Sequence, residues 1–251
     1  MQVVVDSLLT TYHSLGNNHG KTVVILHGWG DSSASWQAFG AQLSQRYRVV
    51  LVDLPGFGKT DQPAGVWGLD DYASFVAHFL SKIDVRAYAL LAHSNGGAIA
   101  VRGLANGSLT AGKLVLLASA GVRTTYKGRK KALRMVAKTG KVLAAPLPAG
   151  VKHRLRRKLY TTVGSDMLVA EHLQETFKKV VGDDIQADAA RLDLPVLLLY
   201  GEHDVSTPPD YGRLLHEHID GSTLEIIGQA EHFVHQDQPA QVLKLVEEFL
   251  A

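Results

Sequence analysis

Short apolar runs alternate with stretches of helical spacing along most of the chain, and this alternation limits the possible folds more than any other feature. Five runs are apolar at nearly every position, which is typical of strands buried on both faces. They span residues 22–26, 48–52, 87–91, 113–117 and 195–200. Between them, residues 69–83 place Tyr72, Phe75, Val76 and Phe79 on one helical stripe. The alternation predicts an α/β fold with a mainly parallel sheet.

Further strands are predicted at the two ends of the chain, at residues 3–5 and 9–12 as an antiparallel edge and at 223–227 as the last strand. The alternation stops after Ser119 and resumes at Leu194. We therefore predict a core domain formed by residues 1–120 and 191–251. Residues 121–190 are predicted to form an inserted helical cap, with helices at 129–144 and 169–181.

The composition supports a folded protein with a large core. Of 251 residues, 46% are hydrophobic and 20% are charged, which excludes a disordered or fibrous chain. The chain has no cysteine, which excludes disulfides and thiolate chemistry. The sequence begins without a cationic, apolar leader and contains no apolar run long enough to cross a membrane. We expect a soluble, cytoplasmic protein without a transmembrane segment.

Residues 90–97 (LLAHSNGG) lead a buried strand directly into a helix through a serine flanked by small residues. This pattern is typical of a nucleophile elbow, a strained turn that exposes a serine side chain at the end of a strand. Small residues are needed two positions before and after Ser94, and Ala92 and Gly96 meet that need. Alanine at 92 replaces the more common glycine. We predict Ser94 as a nucleophile; the alternative is an ordinary serine that caps a helix.

A serine hydroxyl needs a general base at neutral pH, and the chain offers twelve histidines. His232 lies between the last predicted strand and the C-terminal helix, where it can reach over the sheet edge to the elbow. We predict His232 as the base, with His235 as the alternative. Asp204 follows the strand at 195–200 and is the predicted carboxylate partner of the histidine. Glu202 is the competing carboxylate, and the alternative role of Asp204 is to cap the next helix or a turn.

Attack on a carbonyl group creates a negative oxygen that needs N–H donors. We expect two backbone amides to supply them, those of Asn95, directly after the serine, and of Trp29. Trp29 lies in residues 27–30 (HGWG), where the glycines let the backbone approach a substrate closely. His27 is expected to fix this loop by hydrogen bonds; the alternative is a direct catalytic role.

Five segments of the chain resemble the sequential landmarks of the α/β-hydrolase superfamily. They are residues 27–30 (HGWG), 52–58 (VDLPGFG), the elbow at 90–97, 201–204 (GEHD) and 231–233 (EHF). The chain order serine, aspartate, histidine is also that of the superfamily. The resemblance implies an eight-stranded, mostly parallel sheet flanked by helices, with the cap between strands six and seven. Glu231 replaces the usual glycine before the histidine, and we expect it to affect the loop or the proton affinity of that histidine.

The resemblance implies a hydrolase, and serine at the elbow argues against the dehalogenases and epoxide hydrolases of this fold. We predict hydrolysis of a small-molecule carboxylic ester through an acyl-enzyme intermediate. One alternative is an esterase for carrier-bound or other anionic acyl groups. Others are a C–C bond hydrolase, a cofactor-free haloperoxidase and a non-catalytic ligand-binding homologue. No metal or organic cofactor is implied.

Basic residues are concentrated in one part of the predicted cap. Residues 121–160 contain 13 lysines and arginines and no acidic residue, whereas the whole chain carries a formal charge of only +2. The segments at 27–30 and 53–58 also resemble the methyl esterases of biotin synthesis, whose basic cap docks an acidic carrier protein. The basic residues that could do so here are Arg129, Lys130, Lys131, Arg154, Arg156, Arg157 and Lys158.

Two other roles for the basic segment stay open, a solvated helical face and adsorption to anionic lipid or nucleic acid. Tyr126 and Tyr160 are the only aromatic residues within 121–160, so base stacking is not expected and nucleic acid is not a predicted partner.

The substrate pocket is predicted beneath the cap. Its candidate lining residues are Trp29, Tyr160, Met167, Phe177, Val205 and Phe233.

Overall fold

The structure is a computed structural model that describes residues 1–16, 20–123 and 170–251. Its described part contains one eight-stranded sheet with the strand order β1-β2-β4-β3-β5-β6-β7-β8. The strands are β1 Gln2–Val5, β2 Leu8–Leu15, β3 Thr22–Leu26, β4 Arg48–Val52, β5 Ala87–His93, β6 Ala111–Leu117, β7 Val196–Gly201 and β8 Thr223–Ile227. β2 pairs antiparallel with β1 and β4, and every other pair is parallel. The predicted α/β fold and its antiparallel edge are confirmed.

Helices cover both faces of the sheet. In the described ranges they are α1 Gln37–Leu43, α2 Leu69–Lys82, α3 Asn95–Ala105, α4 Gln174–Gly182, α5 Gln186–Ala189, α6 Pro209–His218, α7 Val234–Asp237 and α8 Pro239–Leu250. Within the same ranges, 3₁₀ turns lie at Ser33–Trp36 and Glu171–Leu173. The helix predicted at 69–83 is confirmed as α2. The C-terminal residue of the prediction, Ile83, follows the helix as its cap.

Alternating side chains of each central strand enter opposite layers of the core, as the pleat of a strand requires. In β3, Val24 and Leu26 belong to the layer that includes α2 and α3. Val23 and Ile25 belong to the other layer, which includes α8. Because both faces are covered, β3 is buried at every position, which explains why four of its five residues are apolar.

Most of the predicted cap at 121–190 lies outside the described residues, including the whole helix predicted at 129–144, so the cap stays a prediction. The helix predicted at 169–181 needs a correction, because it begins at Gln174 after a 3₁₀ turn. After α4 the chain returns to the core. Ile185 is fully buried there, and its N–H donates to the carbonyl oxygen of Gly121 at 2.9 Å.

The carboxyl ends of the parallel strands share one edge of the sheet, where α/β proteins place their ligand sites. The loops after β3, β5, β7 and β8 all open at this edge, and they carry Trp29, Ser94, Asp204 and His232 respectively. Among the described residues, no helix is long and apolar enough to span a membrane.

Candidate active site

Ser94 lies in the sharp turn between β5 and α3. Its backbone has φ 51° and ψ −116°, a conformation that costs a non-glycine residue free energy and persists only when its surroundings enforce it. The surroundings do so: the Ser94 N–H donates to the carbonyl oxygen of Leu117 at 3.0 Å. The Ser94 carbonyl oxygen accepts from the N–H groups of Gly97 and Ala120 at 3.0 and 2.9 Å. The strained conformation agrees with the predicted elbow.

The elbow requires residues without side chains two and three positions after the serine. A Cβ atom added to Gly96 would lie 2.5 Å from the carbonyl oxygen of Leu26, and one added to Gly97 would lie 2.4 Å from Oγ of Ser119. Both distances are too short for a carbon atom, so the pair of glycines lets α3 begin against β3 and β6. A serine that merely caps a helix has no such requirement.

His232 and Asp204 are brought together from loops 28 residues apart in sequence. Nδ1 of His232 donates to Oδ2 of Asp204 at 2.8 Å. The carboxylate is fully buried, whereas the imidazole is partly accessible. Because Nδ1 carries the proton, Nε2 is left as the basic nitrogen. Ser94 and His232 line the same cavity but form no hydrogen bond with each other. Such contacts are often longer in a ligand-free site and tighten when the substrate binds.

Asp204 makes both kinds of contact that the sequence left open, because its two oxygens have different partners. Oδ1 accepts from the backbone N–H groups of Ser206 and Thr207 at 2.8 and 3.0 Å, which caps the turn before α6. Oδ2 accepts from His232 and from the Thr207 hydroxyl, the latter at 2.8 Å. Thr207 was not predicted as a site residue. The sequence signal for its role was its position in a turn, three residues after Asp204 and directly before Pro208.

The surroundings of Asp204 keep it ionised. Burial alone would raise its pKa, but the hydrogen bond and charge of His232, together with the hydrogen bonds from Thr207, outweigh burial and lower the pKa. A carboxylate that stays ionised at neutral pH can hold the imidazole in one orientation and stabilise its positive charge.

The competing residues do not contact this pair. His235 is buried and stacks on Trp36, with ring centroids 3.6 Å apart. Glu202 is exposed, and its Oε2 accepts from the backbone N–H of Gln229 at 3.2 Å. The geometry therefore favours His232 over His235 as the base, and Asp204 over Glu202 as its partner.

The loop after β3 is fixed beside the elbow. Nδ1 of His27 donates to the carbonyl oxygen of Gly28 at 2.8 Å, and Nε2 accepts from the N–H of Leu54 at 2.9 Å. Burial lowers the pKa of His27, which favours the neutral ring that these two bonds require. Both nitrogens are occupied, which supports the loop-fixing role over a catalytic one. A Cβ atom on Gly28 would lie 3.1 Å from Cβ of Ser94, so this backbone directly faces the serine.

Asp53 strengthens the same loop, although sequence analysis assigned it no role. Its Oδ1 accepts from the N–H of Ser33 at 2.7 Å, and its Oδ2 accepts from the N–H of Lys59 at 2.9 Å. A Cβ atom on Gly58 would lie 2.3 Å from Oδ2 of Asp53. The signal was the motif at 52–58, in which an acidic residue precedes two glycines.

A cavity of about 280 Å³ opens above Ser94 and His232. Gly28, Trp29, His93 and Phe233 line it, together with three carboxylate residues and two other polar residues. The carboxylates are those of Asp31, Glu231 and Asp237. Within the described ranges, no lysine or arginine lines this cavity.

The predicted pocket residues have different positions. Trp29 and Phe233 line the cavity, and Phe177 packs against Trp29 with ring centroids 5.1 Å apart. Val205 lies outside the cavity lining and is 88% exposed. Tyr160 and Met167 lie outside the described residues.

The predicted oxyanion donors lie on either side of the serine. Asn95 is the first residue of α3, where backbone N–H groups have no partner within the helix, and Trp29 follows Gly28 in the loop that faces Ser94.

The residues that the structure describes contain no group of three or more histidine or acidic side chains arranged to hold a metal ion.

This fold and this site together define a protein of the α/β-hydrolase class. Residues 23–245 match the model of the alpha/beta hydrolase family. The match spans most of the chain, so the protein belongs to the alpha/beta hydrolase family. Family and relatives together support hydrolase activity.

Three relatives illustrate the range of the family. An uncharacterized protein of Mycobacterium tuberculosis is 28% identical over 92% of this chain and 75% of its own. The pimeloyl-[acyl-carrier protein] methyl ester esterase of Neisseria meningitidis is 29% identical over 84% of this chain and 86% of its own. The 2-hydroxy-6-oxo-2,4-heptadienoate hydrolase of Pseudomonas putida is 24% identical over 99% of this chain and 95% of its own.

Solved structures have the same fold. The crystal structure of a membrane phospholipase A superposes with a TM-score of 0.79 at 24% identity, covering 100% of this chain and 84% of the other. At that identity the likeness concerns the fold alone.

Proposed function

We propose that this chain hydrolyses carboxylic esters through a covalent acyl-enzyme formed on Ser94. One observation carries this function: the Asp204–His232 hydrogen bond leaves Nε2 of His232 free at the cavity that Ser94 also lines. An orienting carboxylate, an imidazole with one free nitrogen and a serine on a strained elbow are the parts that nucleophilic acyl transfer requires.

The reaction proceeds in two halves. Oγ of Ser94 attacks the ester carbonyl carbon while Nε2 of His232 takes the hydroxyl proton, and the resulting oxyanion accepts hydrogen bonds from the amides of Trp29 and Asn95. The intermediate expels the alcohol, which receives the proton from His232. Water then attacks the acyl-enzyme and gives a proton to Nε2 of His232, and His232 returns this proton to Oγ of Ser94 as the acid leaves.

A panel of p-nitrophenyl esters from acetate to decanoate tests this function. We expect turnover by the wild type and a loss of at least about 10³-fold in Ser94→Ala, because the nucleophile is gone. Ser81→Ala, at an exposed position of α2, is the matched control and should retain full activity. Undiminished turnover in Ser94→Ala would exclude the mechanism, and no turnover of any ester by the wild type would favour the non-catalytic binding homologue.

A carrier-bound acyl ester is a second candidate substrate. It is favoured by the Neisseria relative, whose name specifies a carrier-bound methyl ester, and by the 13 basic residues at 121–160. Replacing Arg154, Arg156, Arg157 and Lys158 together by glutamine should slow cleavage of a carrier-bound methyl ester and leave small esters within a few-fold. If the variant and the wild type cleave the carrier-bound ester at equal rates, docking by these residues is excluded.

C–C bond hydrolysis is a third candidate, favoured by the Pseudomonas relative. The same triad can serve either substrate, so a direct comparison is needed. Turnover of 2-hydroxy-6-oxo-2,4-heptadienoate with a higher kcat/KM than the best ester would reassign the reaction to C–C bonds.

A further inference from the structure

His93 is a buried histidine between Ser94 and the His232 loop. It is the last residue of β5 and directly precedes the candidate nucleophile. Its side chain contacts the loop of His232, with the two ring centroids 4.7 Å apart. Only 1% of the residue is exposed, yet it lines the cavity. The mechanism proposed above leaves it without a role.

The hydrogen bonds of His93 fix its protonation state. Nε2 lies 3.0 Å from the carbonyl oxygen of His232, and because a carbonyl oxygen only accepts, Nε2 carries the proton and donates. Nδ1 is buried and has no hydrogen-bond partner among the described residues. Nδ1 faces the loop after β3 that contains Gly28 and Trp29, since a Cβ atom on Gly28 would lie 2.9 Å from this nitrogen. Burial, and then the neighbouring His232 and His235, hold the pKa of His93 well below its usual range, consistent with a neutral ring.

We propose that His93 is a positioning residue for the reaction: its Nε2–H holds the main chain of His232, and its neutral ring leaves the neighbouring imidazole free to take up a proton. This inference rests on the proposed function. Because the backbone carbonyl of His232 is tied to β5 directly before Ser94, one bond sets the distance between base and nucleophile. A charged ring at this position would oppose the imidazolium that forms on His232.

Two substitutions separate this role from simple packing. His93→Gln can place its Nε2–H where the histidine has its own donor, whereas His93→Leu fills a similar volume without a donor. A misplacement of catalytic groups by about 1 Å can cost ~10²-fold in rate. We therefore expect a kcat about 10- to 100-fold lower in His93→Leu with KM within about threefold, and a kcat within about fivefold of wild type in His93→Gln. Thermal unfolding of both variants identifies any general loss of structure.

Proton NMR of the ring N–H groups supplies a readout that does not require turnover. In the wild type we expect a downfield resonance from Nδ1–H of His232 bonded to Asp204, and an Nε2–H resonance of His93 that persists from pH 5 to 8. His93→Leu should shift or broaden the His232 resonance, and His93→Gln should preserve it. If the wild type cleaves no ester, the proposed function fails while this comparison still tests His93.

The inference is overturned if folded His93→Leu matches the wild type in kcat and in the His232 resonance. It is equally overturned if His93→Gln, folded as well as the wild type, loses as much kcat as His93→Leu.

Discussion

Nδ1 of His232 lies 2.8 Å from Oδ2 of Asp204, and this bond selects which nitrogen of the imidazole faces the cavity. Asp204→Asn tests the relationship. The N–H groups of Ser206 and Thr207 donate to Oδ1, so an asparagine is expected to keep its oxygen there and to turn its NH₂ group toward His232. That NH₂ group cannot accept from Nδ1–H, so the imidazole is driven to the other tautomer or out of position. We expect kcat to fall by about 10³- to 10⁴-fold with little change in KM.

Glu202→Gln is the control for Asp204→Asn, because Glu202 follows the same strand and has an exposed side chain away from His232. Its kcat should stay within about twofold of wild type. A loss in Glu202→Gln as large as that in Asp204→Asn would show that the carboxylate has been misassigned.

The turn at Ser94 depends on the absence of a side chain at Gly96. In Gly96→Ala the new Cβ would lie 2.5 and 2.6 Å from the carbonyl oxygens of Leu26 and His27, so α3 must shift away from β3. We expect destabilisation of about 1–3 kcal/mol and a clear loss of activity, measured by urea unfolding and ester turnover. Gly65→Ala, where a Cβ would meet no atom within 4 Å, should change neither property.

Stability should fall between neutral and mildly acidic pH because buried histidines must take up protons. Burial lowers the pKa of His235 to about 4 in the folded chain, below the ~6.5 of an unfolded histidine. Between these values the unfolded chain binds the proton and the folded chain does not, so stability is lost as the pH falls from about 6.5 to about 4 and is constant below that range. His93 has its pKa lowered in the same direction.

Urea unfolding at pH 7 and pH 5 measures this loss. In His235→Phe, which keeps an aromatic ring against Trp36, the difference in free energy of unfolding between the two pH values should be smaller by about 1–2 kcal/mol. An unchanged difference would mean that His235 is not the buried proton acceptor.

The carboxylates of Asp31, Glu231 and Asp237 at the cavity should disfavour anionic substrates. Replacing Glu231 by glutamine removes one of these charges. We expect kcat/KM for an ester with a terminal carboxylate to rise about two- to fivefold relative to a neutral ester of equal length, and the effect to shrink with added salt. Glu217→Gln on α6, away from the cavity lining, removes the same charge and should leave the ratio unchanged.

Sequence patterns predicted three strands with the limits that the structure has, β3, β4 and β8. A polar residue or a glycine follows each of these apolar runs and marks its end. β2 extends from Leu8 to Leu15, beyond the predicted 9–12, because its polar residues, such as Thr10 and Ser14, obscure the strand pattern. The start of α4 was misplaced because helical spacing does not mark where a 3₁₀ turn gives way to an α-helix.

The site was predictable where chemistry fixes residue type and chain order. Ser94, Asp204 and His232 each follow a recognisable strand. The hydrogen bonds of Thr207 and His93 were missed because they depend on how separate loops meet, as in the bond from His93 to the main chain 139 residues later. A local sequence pattern cannot predict a contact between loops that are distant in sequence.

Chemical trapping of the acyl-enzyme tests the proposed reaction most directly. Wild type mixed with a p-nitrophenyl ester and quenched in acid within the first turnover should carry one acyl group per chain, on the peptide that contains Ser94. Ser94→Ala should carry none, and Asp204→Asn should accumulate the same adduct more slowly. Turnover by the wild type with no acyl group on Ser94 at any quench time, or an acyl group attached to another residue, would contradict the mechanism.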